Sequence, residues 1–219
     1  MNVVIFGATG MIGQGVLRQC LLDGGVERVL VVGRRATGQR DPRVDELVLP
    51  DVGDLSAVES ELTGLDACFF CLGVSAAGMS EERYAAQTYD LTLAVARTLA
   101  RLNPQMTFIY VSGMGTDSSE QSRSMWARVK GRTENALQRL PFRAAYMFRP
   151  AFILPQHGIR SRTPLYRAFY VLARPFYPLL RLLARDIVTT TDQISRAMLA
   201  VARDGYPRPI LEARELKAF

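Results

Sequence analysis

Three groups of residues in this 219-residue chain have types and spacing suited to chemistry. The first is "GATGMIGQG", in which Gly7, Gly10 and Gly13 follow a short apolar run and precede an amphipathic one. Glycines at this spacing permit a tight turn and let the backbone come close to a diphosphate. With Thr9, Met11 and Ile12 they form a loop that hands an anion to the amides at a helix start. The second is "VVGRRATG", where Arg34 and Arg35 end another apolar run. No carboxylate stands in that stretch to accept from a ribose 2′-hydroxyl. Two guanidinium groups suit a 2′-phosphate instead, so NADP(H) is expected over NAD(H). The third is "SRSMWARVKGRTE", which sets Trp126 and Lys130 four apart, on one helix face. An indole N–H donates a hydrogen bond but does not exchange its proton near neutral pH.

The elements that must position these groups alternate along the chain. Apolar runs at 2–6, 28–33, 44–50, 65–73, 106–113 and 143–150 read as strands. Amphipathic runs at 11–23, 80–103 and 122–140 read as helices, the second opened by Ser80 as N-cap with Glu81 and Glu82 in its first turn. Strands that are apolar throughout, separated by helices, predict a parallel sheet covered on both faces. The expected fold is a Rossmann-type doubly wound α/β domain spanning residues 1–219, with residues 152–190 as a small C-terminal substrate cap. A further helix is expected at 189–203 and a last strand in "PRPILEA". In such a sheet ligands bind at the carboxyl edge. That edge places Asp51 at an adenine amino group, Val52 over the ring, and Leu72 and Gly73 beside the adenosine ribose.

Composition narrows the class. Apolar residues make up 48% and charged residues 22%, as in globular domains. The formal charge is +6, carried almost wholly by arginine, since lysine occurs only at 130 and 217. The basic residues are scattered and no nucleic-acid-binding signature accompanies them, so no nucleic acid partner is expected. Cys68 and Cys71 in "CFFC" lie on opposite faces of a strand, and one histidine, His157, leaves no metal spacing. The opening stretch has no basic region before an apolar one and reads as the first strand, which gives a cytoplasmic expectation.

The residues "GATGMIGQGVL", "VVGRR", "CFFCLG", "YVSGMGTDSS", "VKGRTENAL" and "FRPAFIL" resemble the atypical short-chain dehydrogenase/reductases. These belong to the NAD(P)-binding epimerase/dehydratase superfamily, and the closest resemblance is to its Tat-interacting oxidoreductase-like group. The resemblance implies that Lys130 binds the nicotinamide ribose hydroxyls and that Ser112 sits near the reacting carbonyl. It implies that Pro150 and Phe152 line the nicotinamide pocket. The family's proton donor is a tyrosine four residues before the lysine, where this chain has Trp126.

The expected function is therefore an NADP(H)-dependent oxidoreductase acting on an apolar carbonyl or quinone-like substrate, with the acid relocated or dispensed with. Ser112, Ser124, Tyr84, Tyr89, His157 or a water are the candidates to replace it, while Tyr110 reads as core. The alternative is a catalytically weak NADP(H)-binding sensor or regulator. The aromatic stretch at 163–184 reads as a lid over a bulky apolar substrate. Arg160, Arg167, Arg174 and Arg181, seven apart, offer a dimer surface or an anionic lipid contact as rival readings. The protein is expected as a monomer or homodimer.

Overall fold

A computed structural model describes residues 1–159 and 188–219. The aromatic stretch and its four arginines lie outside the described residues.

Seven parallel strands form one sheet. They are β1 (Asn2–Phe6), β2 (Arg28–Gly33), β3 (Val44–Val48), β4 (Ala67–Phe70), β5 (Thr107–Val111), β6 (Ala144–Arg149) and, last in the chain, β9 (Ile210–Glu212). Their order is β3-β2-β1-β4-β5-β6-β9, with the reversal of direction between β1 and β4. β1 keeps register with both neighbours, Val4 facing Leu30 on one side and Cys68 on the other. The doubly wound sheet expected from the alternating runs is the observed fold.

Each strand sends alternate side chains to opposite faces, and two cores result. Val3, Ile5, Phe69, Ile109 and Phe148 pack beneath α1 (Met11–Leu22) and a helix near the chain's end, α5 (Thr191–Asp204). Val4, Phe6, Cys68, Phe70, Phe108 and Tyr110 fill the other face. The second face is largely aromatic, with Phe6, Phe70 and Phe108 stacked in sequence at 5.6 and 5.9 Å. Cys68 belongs to that face and Cys71 packs against the first, so the alternation that argued against a redox pair holds. Gly15 sets the approach of α1 to α5, since a Cβ there would lie 2.9 Å from Ser195 Oγ.

The helix expected over 80–103 is continuous but not uniform. It runs as α2 (Glu81–Ala85), one π-helical stretch (Ala86–Asp90) and α3 (Leu91–Leu102). Ser80 is its N-cap, accepting from the Arg83 amide at 3.4 Å. α4 (Met125–Leu137) follows β5, and α5 opens with a capping box in which Thr190 and Gln193 satisfy each other's amides. Three short elements gave no periodic signal in the sequence. They are a parallel pair formed by β7 (Phe152–Leu154) and β8 (Val188–Thr190), and the one-turn α6 (Ala213–Leu216) behind β9. Three or four residues are too few to show a period.

Candidate functional site

At the carboxyl edge of β1 the chain turns with Gly7 at φ +83°. The Gly7 carbonyl accepts from the Gly10 amide at 2.9 Å, and Gly10 caps α1. A Cβ on Gly7 would stand 2.9 Å from the backbone of Cys71 and Leu72, and one on Gly13 would stand 2.1 Å from the Gly7 carbonyl oxygen. Loop, helix and the end of β4 are thus packed to a distance that only glycine permits. No side chain caps the start of α1, and its first turn carries no acid. The free amides and the positive end of the helix remain for an anion.

A cleft of about 390 Å³ opens beside this turn, lined by Gly7, Thr9, Leu72, Arg34 and Arg35. Both arginines are exposed, and among the described residues neither has an ion-pair partner. The fold brings one carboxylate to this loop that "VVGRRATG" does not contain. Glu46 on β3 accepts from the Thr37 amide at 2.9 Å and from its hydroxyl. It holds the loop that follows the arginines.

Two expected contacts are not assembled there. Val52 is buried in the aromatic core, and the exposed Asp51 turns its carboxylate to the Gly53 amide at 2.8 Å. Gly73 is exposed and lines neither cleft. The run "LPDVGDL" shows only that these residues follow a strand, not that the next turn folds Val52 inward.

A second cleft, of about 600 Å³, lies past the end of β5 and also reaches Ile12 on α1. Trp126, Lys130, Ser112, Tyr84, Pro150 and Phe152 are on its walls. α4 supplies the first two. It is pressed against the loop after β5 at Gly131, where a Cβ would fall 1.7 Å from the Asp117 carbonyl oxygen. Asp117 organises that loop: its carboxylate accepts from the Ser119 hydroxyl and from the amides of Ser119, Gln121 and Ser122, which hold its pKa down at about 2.

Lys130 is half-buried and donates to the Ser112 carbonyl. Burial lowers its pKa to about 8, against the opposing pull of Glu134 one turn on. The Ser112 hydroxyl is engaged on the far side. It donates to Glu134 Oε1 at 2.5 Å, with the Phe148 carbonyl 3.2 Å away. Ser112 therefore reaches the cleft, but its hydroxyl is bonded to a buried carboxylate, and its carbonyl holds the lysine.

Glu134 is fully buried and meets Arg149 through two parallel contacts, Nε–Oε1 at 3.1 Å and Nη2–Oε2 at 2.5 Å. Arg149 also donates to Glu212 on β9 at 3.1 Å and to Ser118 at 2.6 Å. Sequence reasoning missed this network. The signal was present, since an arginine ending a strand buried on both faces needs a carboxylate. Glu134 follows Lys130 by four residues, which turns it to the same side of α4.

The remaining candidates for the missing acid are distributed differently. Tyr84, 2% exposed, lines the cleft. Tyr89 instead stacks under Arg132, 3.9 Å from guanidinium carbon to ring centroid. Ser124 sits exposed at the N-cap of α4. His157 is a loop residue whose Nε2 lies 2.7 Å from Asp192 Oδ2. Tyr110 is core, as expected, and burial pushes its phenol well up.

A protein-family model described as NAD(P)H-binding matches residues 7–141. The chain belongs to this NAD(P)H-binding family. It is similar to the mitochondrial protein fmp52 of Emericella nidulans, 28% identical over 162 residues, covering 71% of this chain and 68% of that protein. The mitochondrial FMP52 of Eremothecium gossypii is 30% identical, covering 70% and 67%. Among solved structures, a short-chain dehydrogenase/reductase family oxidoreductase from Burkholderia thailandensis has the same fold. It aligns with TM-score 0.68 and 18% identity, over 100% of this chain and 93% of that one. WbmF of Bordetella bronchiseptica, solved with NAD+, aligns with TM-score 0.67 and 16% identity, over 99% and 76%. The expected NAD(P)-binding class is thus met in the family, and the expected likeness to short-chain dehydrogenase/reductases is met in the fold. The cytoplasmic expectation is overturned by the fungal relatives, which are named as mitochondrial. An opening segment that forms β1 says how the fold starts, not in which compartment it works.

Proposed function

We propose that the chain is an NADP(H)-dependent oxidoreductase acting on an apolar carbonyl or quinone-like compound in the larger cleft. The observation that carries this is the placement of Ile12. It stands one residue from Gly13 and lines the cleft that holds Lys130, so the diphosphate cradle opens directly onto the proposed reaction site. The residues fit a dinucleotide. Gly7, Gly10, Gly13, Thr9 and the start of α1 would take the diphosphate, Arg34 and Arg35 the 2′-phosphate, and Lys130 the nicotinamide ribose. Pro150 and Phe152 would flank the ring. When bound, the reduced dinucleotide supplies a hydride. The chain's own part is to exclude water with Phe152, Trp126, Val74 and Met114 and to hold the acceptor's oxygen near Lys130.

Preference for the phosphorylated dinucleotide is supported by Arg34 and Arg35, which have no ion-pair partner among the described residues, and by Glu46, whose Oε1 is taken by Thr37. Calorimetry with NADPH and NADH tests it. Binding of NADH as tight as that of NADPH would end the preference. A panel of apolar aldehydes, ketones and quinones with NADPH tests the reaction.

Trp126 favours a second reading, a dinucleotide-binding regulator without turnover. Its indole fills the place of the expected tyrosine and packs over Gly115, where an added Cβ would lie 3.3 Å from the ring. No turnover in the wild type with recovered turnover in Trp126→Tyr would select that reading.

A further inference from the structure

We propose that Lys130 is itself the proton donor of the larger cleft, giving an N–H proton to the oxygen of a bound carbonyl compound. This deepens, and rests on, the oxidoreductase reading. Among the described residues that line the cleft, Lys130 and Tyr84 are the ones whose side chains titrate in the ordinary range, the hydroxyls of Ser75 and Ser112 being far weaker acids. Tyr84 is almost wholly buried, whereas Lys130 is partly buried and lines the cleft. Lys130 follows Trp126 by one helical turn, so it shares the face on which the expected acid would have stood. Its ammonium has three N–H bonds, of which one is given to the Ser112 carbonyl. That leaves donors for a reacting oxygen as well as for a ribose.

The surroundings fix its proton affinity. Burial draws it down to about 8, where an amine is mostly protonated at pH 7 and can still release the proton. Glu134 is the carboxylate beneath it, and the structure prevents that charge from acting alone: Arg149 from β6 pairs with it and is shared with Glu212. Beside α4, α2 carries Glu81, Glu82 and Arg83, the π-helical stretch Tyr89 and Asp90, and α3 Arg97 and Arg101, and none of these lines the cleft. Glu81 of α2 binds Arg128 at 2.5 Å, and Tyr89 of the π-helical stretch lies under Arg132. From α2, Tyr84 is the titratable group that faces the cleft.

The step balances. The carbonyl carbon gains a C–H bond from the hydride of the reduced nicotinamide, which is oxidised. The C=O π pair moves to oxygen, and an O–H bond forms as the Lys130 N–H bond breaks. The neutral amine regains a proton from solvent.

With two lysines in the chain, ¹³C-lysine labelling gives two signals, and Lys217→Arg assigns them. The Lys130 signal in the free protein should titrate with a midpoint near 8. A midpoint at the ordinary lysine value of about 10.4 overturns the proposal without any turnover measurement. In kinetics, Lys130→Arg keeps the cation but replaces the amine with a guanidinium too weakly acidic to give up a proton in the working range. At saturating NADPH it should lower kcat by about 100-fold or more and abolish the fall in kcat above pH 8. Turnover that survives this change, or that is lost only in Tyr84→Phe, refutes Lys130 as donor and leaves the oxidoreductase reading standing. NADPH binding with no wild-type turnover of any acceptor removes that reading and this proposal together.

Discussion

The two halves of the carboxyl edge are built from different materials. Around β1, α1 and β2 the binding surface is main chain: Gly7, Gly10 and Gly13 bring the backbone close, and α1 begins with no side chain over its amides. Around β5, α4 and β6 it is side chain, and each cleft residue is held by another beneath it. Lys130 rests on Ser112, Ser112 on Glu134, Glu134 on Arg149 and Arg149 on Glu212. A main-chain cradle tolerates no added carbon but asks little of neighbouring residue types. A side-chain stack instead depends on the residue type of each of its members, from Lys130 down to Glu212.

Removing a lower layer of the stack should have the largest effect. Glu134→Ala leaves the Arg149 guanidinium buried with half its carboxylate partners, and should cost about 3–5 kcal/mol in chemical denaturation. A loss under about 1 kcal/mol would mean that the ion pair is not the support described here. In the cradle the sharpest probe is Gly13→Ala. Its methyl would fall on the Gly7 carbonyl, so NADPH binding should vanish from calorimetry, with stability lowered by about 1–3 kcal/mol. Retained binding in that variant would show that the turn is not the diphosphate site.

The arginine pair lies on the rim of the cradle and should behave as a selectivity device. Replacing Arg34 and Arg35 by alanine should weaken NADPH by about 10–100-fold, as expected for lost charged hydrogen bonds, while NADH binding stays nearly level. Equal weakening of both dinucleotides would move the arginines from the 2′-phosphate to the diphosphate. The smallest effect belongs outside both halves. Thr190→Ala removes the capping box of α5 and should cost about 1 kcal/mol in thermal unfolding, with no change in dinucleotide affinity.

The main-chain half was readable in the sequence because backbone demands are written in residue type. Glycine at positions 7, 10 and 13, between an apolar strand and a helix, has few other uses. The strands were readable for the same kind of reason, since burial on both faces leaves an unbroken apolar run. The side-chain half was not. Glu134 and Arg149 stand fifteen residues apart and read singly as surface charges, and only the parallel pairing of β5 with β6 brings them together. Ser112 was placed correctly at the end of β5, yet which way its hydroxyl turned depended on a partner in α4. The turn after β3 was not legible either: it folds Val52 inward and brings the Asp51 carboxylate back to its own loop.

The contact between Arg149 and Glu212 has a practical corollary. Glu212 is seven positions from the final residue, and it shares the guanidinium that steadies the floor under Lys130. An affinity tag or fusion partner placed after β9 would bear on the larger cleft through this ion pair and through the pairing of β9 with β6. Purified material carrying one should be compared with tag-free protein before any weak turnover is ascribed to the native sequence.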